Sequence, residues 1–366
     1  MPLQLLRLID ANLNRSTEGL RVLEDVARFL LGDADLSRRS KVLRHNLAKE
    51  TRLLRLDLLS QRDSQHDVGR SQTTGLPSNG SQYSAAQASL QGVADVVTAN
   101  AKRVEQALRV IEELARVPEM SSMLNSVSFE QARFSLYELE RELISRVSRH
   151  EKAARMTGLY VILDRQFLAG RDELDAAGQA IEGGASVIQL RDNQGKKGEL
   201  LRLAQELREL CSQSGVLFIV NDHLDLAIAA GADGVHIGQE DLPLDVVRRQ
   251  LPVDRIAGCS VHTPAQATTA QQAGADYIAV GSVFPTTTKH QATVVGLDAL
   301  KEIRQAVSVP VVAIGGINLD NIDEVKAAGA DAVAVISAAL GQTDVKRAVQ
   351  RLSARINPGR PECRDQ

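Results

Sequence analysis

The residues of this chain with the means to do chemistry are carboxylates, cations, hydroxyls and glycines, not a nucleophile with its base. Asp222 (in Asn221-Asp222-His223) and Asp241 (in HIGQED, 236–241) each follow a short apolar run. One aspartate in such a place ordinarily caps the next helix. Two converging from neighbouring runs are costly unless a cation neutralises them. With oxygen donors and few histidines or cysteines to hand, the expected cation is Mg2+, which takes one or two carboxylates and fills its shell from substrate phosphates. Gln189 and Arg191 stand two residues apart, and Lys289 closes Pro285-Thr286-Thr287-Thr288-Lys289; Arg191 and Lys289 would face a polyanion. Gly315-Gly316 and Ile336-Ser337 make a second group, in which a close-approaching backbone and a helix start suit a phosphate. The expectation is a metal-bound pyrophosphate on one side and a monophosphate on the other. His223, His236 and His262 are expected to orient or support, and Cys259 to pack beside the wall.

These residues must be positioned by a repeating frame. Apolar, β-branched runs occur at 158–164, 186–192, 216–222, 234–240, 255–261, 277–283, 310–316 and 332–338, separated by stretches with helical periodicity such as 199–211 and 297–307. Gly183-Gly184, Gly231, Gly274 and Gly329 stand where helices should end. Eight apolar strands alternating with helices predict a (β/α)8 TIM barrel, an α/β fold whose chemistry gathers at the C-terminal strand ends. An open doubly wound sheet is the alternative, but no G-x-G-x-x-G opens its first unit.

The first 150 residues differ. They hold 6 of the 26 glycines and read as all-α. Residues 11–28 and 99–116 match at 9 of 18 positions, an internal duplication. Leu20, Leu23 and Ala27 in the first copy, like Leu108, Ile111 and Ala115 in the second, fall at helical spacing. Further helical stretches follow at 40–59 and 129–147, so two similar hairpins about a pseudo-twofold are predicted, with a long polar loop over 60–89. Arg15, Glu18, Arg21 and Asp25, echoed by Arg103, Gln106, Arg109 and Glu113, form either a solvated charge ladder or a site; the loop adds Arg62-Asp63 and Asp67-Val68-Gly69-Arg70 to the second reading. The domains expected are 1–150 and 151–366, joined near 149–157.

Composition excludes other classes. Six Phe, four Tyr and no Trp, with a net charge of −3, do not suit nucleic-acid binding through stacking or phosphate contacts. No apolar stretch reaches the roughly 20 residues of a membrane span, and Arg7 and Asp10 break any signal peptide. Three cysteines, far apart, exclude a disulfide framework. A cytoplasmic setting is expected, with small-molecule partners, no nucleic acid and no membrane; a homo-oligomer is left open.

The stretches VIQLRD (187–192), FIVNDHLDLA (218–227), DGVHIGQEDLP (233–243), GCSVHT (258–263), PTTTK (285–289), AIGGI (313–317) and AVISA (334–338) resemble thiamine-phosphate synthase, in that family's order and spacing. The resemblance implies joining of the diphosphate of hydroxymethylpyrimidine to a thiazole phosphate by a dissociative route. Carried over by position, Asp222 and Asp241 are Mg2+ ligands. Gln189, Arg191, Asn193, Asn221, Ser260 and Lys289 hold the pyrimidine diphosphate, with Arg191, Ser260 and Lys289 catalytic. Thr286, Thr287, Thr288, Gly316, Ile336 and Ser337 surround the thiazole phosphate. Asn193 departs from the family, which usually has lysine there; Lys196 or Lys197 could replace that cation. Few aromatics imply that the heteroaromatic substrates are held by polar groups, with Phe284 the nearest ring. RSTEGLRVLEDVARF (15–29) resembles an N-terminal extension related to hydroxymethylpyrimidine-phosphate kinases, although no P-loop is visible. The alternatives are a thiazole tautomerase-like barrel and a non-catalytic oligomerisation or regulatory front module.

Overall fold

A computed structural model describes residues 3–60, 92–168, 170–192, 194–286 and 293–356. The chain divides into two compact units, Met1–Ser148 and Arg149–Gln366.

The first unit is helical. Helix α1 (Leu3–Asp25) ends in a π-helical turn, Val26–Leu30, and is followed by α2 (Ala34–Glu50), α3 (Arg55–Ser60), α4 (Val93–Leu114) and α5 (Ser126–Ala153). Leu20, Leu23, Ala27, Leu108, Ile111 and Ala115 all lie in its core, as their spacing predicts. Helix α1 packs on α4 at Gly19, where a Cβ would lie 2.5 Å from Val104 Cγ2. The duplication extends to side-chain bonds. Asn12 Nδ2 donates to Leu8 O and Asn100 Nδ2 to Val96 O, each at 2.8 Å. Glu24 accepts from Arg44, and its counterpart Glu112 from Arg133. The stretch predicted over 40–59 is interrupted at Thr51, whose hydroxyl bonds Leu47 O at 2.9 Å where the backbone leaves the helical region. The polar stretch after Ser60, with Arg62, Asp63 and 67–70, lies outside the described residues. On the paired ladder, Arg15, Glu18, Arg21, Arg103, Gln106, Arg109 and Glu113 are exposed.

The second unit is a closed barrel of eight parallel strands in chain order: β1 Gly158–Asp164, β2 Ala185–Arg191, β3 Leu217–Asn221, β4 Gly234–Ile237, β5 Ile256–Val261, β6 Tyr277–Val280, β7 Val311–Ile314 and β8 Ala332–Val335. Strands built from Val, Ile, Leu and Ala are buried on both faces because helices cover the outside and side chains fill the inside. Met156, Tyr160, Ile162, Val187, Ile219, Ile256, Tyr277 and Val312 belong to the interior cluster. Gly184, at φ 95°, and Gly231, at φ 67°, turn helices back toward strands, a conformation costly for any residue with a Cβ. Asp172 caps the helix Glu173–Glu182, accepting from Leu174 and Asp175 N–H groups. Strands β4, β6, β7 and β8 are shorter than their apolar runs. After Ile237, Val280 and Ile314 the next residue is glycine, and after Val335 the chain turns into the short helix Ser337–Leu340. The residues that follow are therefore free to build the rim.

Candidate active site

Pairing between β1 and β2 sets Asp164 beside Arg191 and Ile162 beside Gln189. Arg191 Nη1 donates to Asp164 Oδ2 at 2.8 Å, and Asp164 is buried. A charge-assisted bond of this kind fixes the direction of the guanidinium. Asn221 ends β3, buried. Asp222 follows at φ 59°, sparsely populated for a residue with a side chain. Its N–H donates to His236 O at 2.8 Å, carrying the β3–β4 ladder one residue beyond the strand.

The Asp222 carboxyl is pushed up to about 6, first by burial, then by the hydrogen bond it donates to Asp241 when protonated and by the like charge there; Arg191 and His223 oppose the shift. Asp241 is itself exposed and accepts from Gly238 N at 2.7 Å. A carboxylate pushed up by burial and by a neighbouring carboxylate is a donor set a divalent cation would satisfy. Among the described residues no group of three or more His, Cys, Asp or Glu side chains is arranged to enclose a metal. Two carboxylates at an open rim fit Mg2+ that keeps most of its shell for water and phosphate.

Ser260, near the end of β5, lies 2.9 Å from His236 Nε2, and His236 Nδ1 lies 3.1 Å from Tyr277 Oη. Burial pushes the His236 imidazole down to about 4, so it is neutral near pH 7. His223 Nε2 meets Asp192 O, and His262 Nδ1 meets Gly281 O, both supporting contacts at loop backbones. Cys259 is buried, with its thiol beside Gln239 Nε2; burial pushes that thiol up, as suits a wall residue.

On the opposite side of the rim, Gly315 and Gly316 both have positive φ. A Cβ on Gly315 would lie 2.0 Å from Ser282 Oγ, and one on Gly316 would lie 2.4 Å from Pro285 O. These glycines press the β7 loop against the β6 loop. Thr286 is the last described residue of that loop and is partly exposed. Ile336 caps the helix Ser337–Leu340, and Ser337 is exposed. Asn193, Thr287, Thr288 and Lys289 lie outside the described residues. Of the two lysines that could stand in for a cation at 193, Lys197 is paired with Asp225, while Lys196 is exposed at the start of its helix.

Sequence reasoning missed Asp164, Tyr160 and Tyr277. Asp164 ends its apolar run as Arg191 nearly ends the next, which was a usable signal. The tyrosines gave none, because their partners lie across the barrel. Phe284, expected to be the nearest ring to the substrates, lies beside Gly316; the rings joined to Gln189 and His236 are Tyr160 and Tyr277.

Comparison with known proteins agrees with this geometry. Residues 159–339 match the family described as thiamine monophosphate synthase, and residues 7–142 match the ThiD2 family. A thiamine-phosphate synthase of Synechococcus sp. (strain CC9311) is 38% identical over 357 residues, covering 96% of each chain. One from Methanocella arvoryzae is 52% identical over 200 residues, 54% of this chain and 94% of its own. The solved thiamine phosphate pyrophosphorylase from Pyrococcus furiosus superposes with a TM-score of 0.53 at 40% identity, over 57% of this chain and 98% of that one. The chain belongs to the thiamine-phosphate synthase family.

Proposed function

We propose that the barrel makes thiamine phosphate at the rim described above, joining hydroxymethylpyrimidine diphosphate to a thiazole phosphate with release of pyrophosphate. The bond from the pyrimidine methylene carbon to the diphosphate oxygen breaks, and the thiazole nitrogen forms the new C–N bond at that carbon. The 4-amino group of the pyrimidine feeds electrons to the methylene cation, so the protein needs no nucleophile of its own. Its residues hold and neutralise. Arg191, aimed by Asp164, faces the departing diphosphate, and Asn221 with Lys289 and Asn193, carried over by position, are assigned to the same substrate, with Lys196 as the replacement cation. Gln189 and Ser260 grip the pyrimidine edge. Thr286, Thr287, Thr288, Gly316, Ile336 and Ser337 seat the thiazole phosphate, which keeps the nucleophile in line. Asp222 and Asp241 would hold Mg2+, which when bound supplies positive charge to the leaving pyrophosphate.

The observation that carries this reading is Asp222, its carboxyl pushed up by burial and by Asp241, on the same rim as Arg191, whose direction Asp164 sets. The test is Asp222→Ala in the full chain, assayed for thiamine phosphate from both substrates. A loss of more than about a hundredfold, with no remaining response to Mg2+, is expected; undiminished turnover would overturn the metal assignment.

For residues 1–150 the reading is supply of the diphosphate by phosphorylation of hydroxymethylpyrimidine phosphate, supported by the match to the ThiD2 family in the same chain. The partners are small-molecule substrates. Among the described residues no helix is long and apolar enough to cross a membrane, and Cys211 and Cys259 are buried free thiols; a cytoplasmic setting is part of the proposal.

A further inference from the structure

Five polar side chains inside the barrel are joined in one unbroken chain of hydrogen bonds. Gln189 Nε2 lies 2.9 Å from Tyr160 Oη, which lies 3.2 Å from Tyr277 Oη. Tyr277 Oη lies 3.1 Å from His236 Nδ1, and His236 Nε2 lies 2.9 Å from Ser260 Oγ. Gln189, Tyr160, Tyr277 and His236 are all buried; Ser260 is partly exposed. The sequence makes room for this line. A Cβ at Gly258 would lie 2.0 Å from Tyr277 Cζ, so only glycine on β5 lets that ring cross the interior. There it stacks on His236, with centroids 5.6 Å apart and planes inclined by 28°.

Proton counting restricts what such a line can do. A phenol has one proton to donate, and a neutral imidazole has one shared between two nitrogens. His236 meets only hydroxyls at its ring nitrogens and no carboxylate, so a second proton would leave a buried cation without a bonded counterion. The four bonds must then all run in the same sense along the line. With the Gln189 amide nitrogen facing Tyr160, Tyr160 donates to Tyr277 and Tyr277 donates to His236 Nδ1. His236 carries its proton on Nε2 and donates to Ser260. At the two ends, Gln189 has its carbonyl left to accept and Ser260 has its O–H left to donate.

We propose that Tyr160, Tyr277 and His236 are positioning residues that couple the two ends, so that Gln189 presents an acceptor whenever Ser260 presents a donor. A paired donor and acceptor is the complement of an amidine edge, in which an exocyclic N–H stands next to a ring nitrogen lone pair. The 4-aminopyrimidine of the diphosphate substrate has such an edge. A buried donor or acceptor facing its own kind costs more than a lost bond, so the line fixes the sense of recognition without touching the reacting atoms. This use of the line rests on the placement of the pyrimidine against Gln189 and Ser260 proposed above; the coupling itself does not.

The experiment has two arms. In the first, 15N-histidine NMR of the full chain at pH 8 reads the His236 tautomer, assigned by the signal lost in His236→Gln. Wild type is expected to be the Nε2–H form. Gln189→Glu, whose carboxylate can only accept, should reverse the line and move the proton to Nδ1. Adding Tyr277→Phe, which keeps the ring but removes the hydroxyl, should abolish the response. A tautomer that is already Nδ1–H, or one indifferent to Gln189→Glu, overturns the proposal. In the second arm, Tyr277→Phe should raise KM for the pyrimidine diphosphate about five- to tenfold and leave KM for the thiazole phosphate unchanged. Ser260→Ala should add less than a further twofold in the Tyr277→Phe background; independent, multiplying effects overturn the coupling. If Ser260→Ala alone leaves the pyrimidine KM unchanged, the placement of the substrate fails, and the NMR arm still decides the coupling.

Discussion

Asp222 concentrates the electrostatics of the rim, because its carboxyl, half-buried and beside Asp241, is pushed up to about 6. A divalent cation must displace the proton held below that pH, so Mg2+ affinity is linked to pH. The apparent affinity should fall about tenfold per unit as pH drops below about 6, the slope for one displaced proton, and be flat above about 7. Calorimetric titration of Mg2+ into wild type and Asp222→Asn, without pyrophosphate, at pH 5 and 7.5 measures this, and the same pH dependence in both would contradict it. Folding responds in the opposite sense at two groups. The His236 imidazole, held down to about 4 in the barrel against 6.5 when unfolded, loses folding free energy as pH falls from 6.5 to 4. The Asp222 carboxyl, raised from 3.8 to about 6, binds its proton more tightly when folded and returns stability as pH falls from 6 toward 3.8. Asp222→Asn removes only the second effect. Its urea midpoint should therefore drop more steeply than that of wild type between pH 6.5 and 4, and parallel curves would mean that these two groups do not set the acid limb. Asp222 and Asp241 were legible in sequence because each interrupts or follows an apolar run. Tyr160 and Tyr277 were not, since a contact between residues 117 apart depends on the curvature of a closed sheet.

At the scale of elements, every strand was legible and most strand ends were not. Val, Ile and Ala runs specify where a buried parallel strand begins, but it stops where its neighbour no longer pairs. Glycines 238, 281 and 315 decide that at β4, β6 and β7. The interior demands glycine for a different reason at β5. Gly258 faces the fully buried Tyr277 ring, which has nowhere to retreat, so Gly258→Ala should overpack the barrel by about 1–3 kcal/mol and lower the barrel's thermal midpoint. Gly178, in the helix Glu173–Glu182, has an ordinary φ and open space where a methyl group would stand, with no atom within 4 Å of an added Cβ. Gly178→Ala should stabilise by about 0.5–1 kcal/mol. Calorimetric scans of the two variants must move in opposite directions; a shared sign would mean that the Tyr277 contact is not what requires glycine.

At the scale of the molecule, the duplication of the front unit was legible because repeated residues carry repeated bonds, as Asn12 and Asn100 do. Its divergence was not. Glu24 retains some exposure and is held by Arg44, whereas Glu112 is fully buried and is held by Arg109, Arg116 and Arg133. A carboxylate taken wholly out of water needs such partners, and removing them costs several kcal/mol, so the second copy is built to hold one charged arrangement in place. The synthase named from Methanocella arvoryzae and the solved pyrophosphorylase from Pyrococcus furiosus match only 54% and 57% of this chain, whereas the Synechococcus relative matches 96% of it. A front unit that carries its own family match, to the ThiD2 family, is expected to act on a neighbouring step. Full-length Asp222→Ala, its barrel blocked, is the protein in which to look. Supplied with ATP and hydroxymethylpyrimidine phosphate, it should accumulate the pyrimidine diphosphate, seen by 31P NMR as a paired diphosphate signal. Wild type given thiazole phosphate as well should carry the same phosphorus on to free pyrophosphate. If the blocked chain makes no diphosphate while wild type still condenses supplied diphosphate, the front unit is not a kinase and the non-catalytic reading of residues 1–150 takes its place.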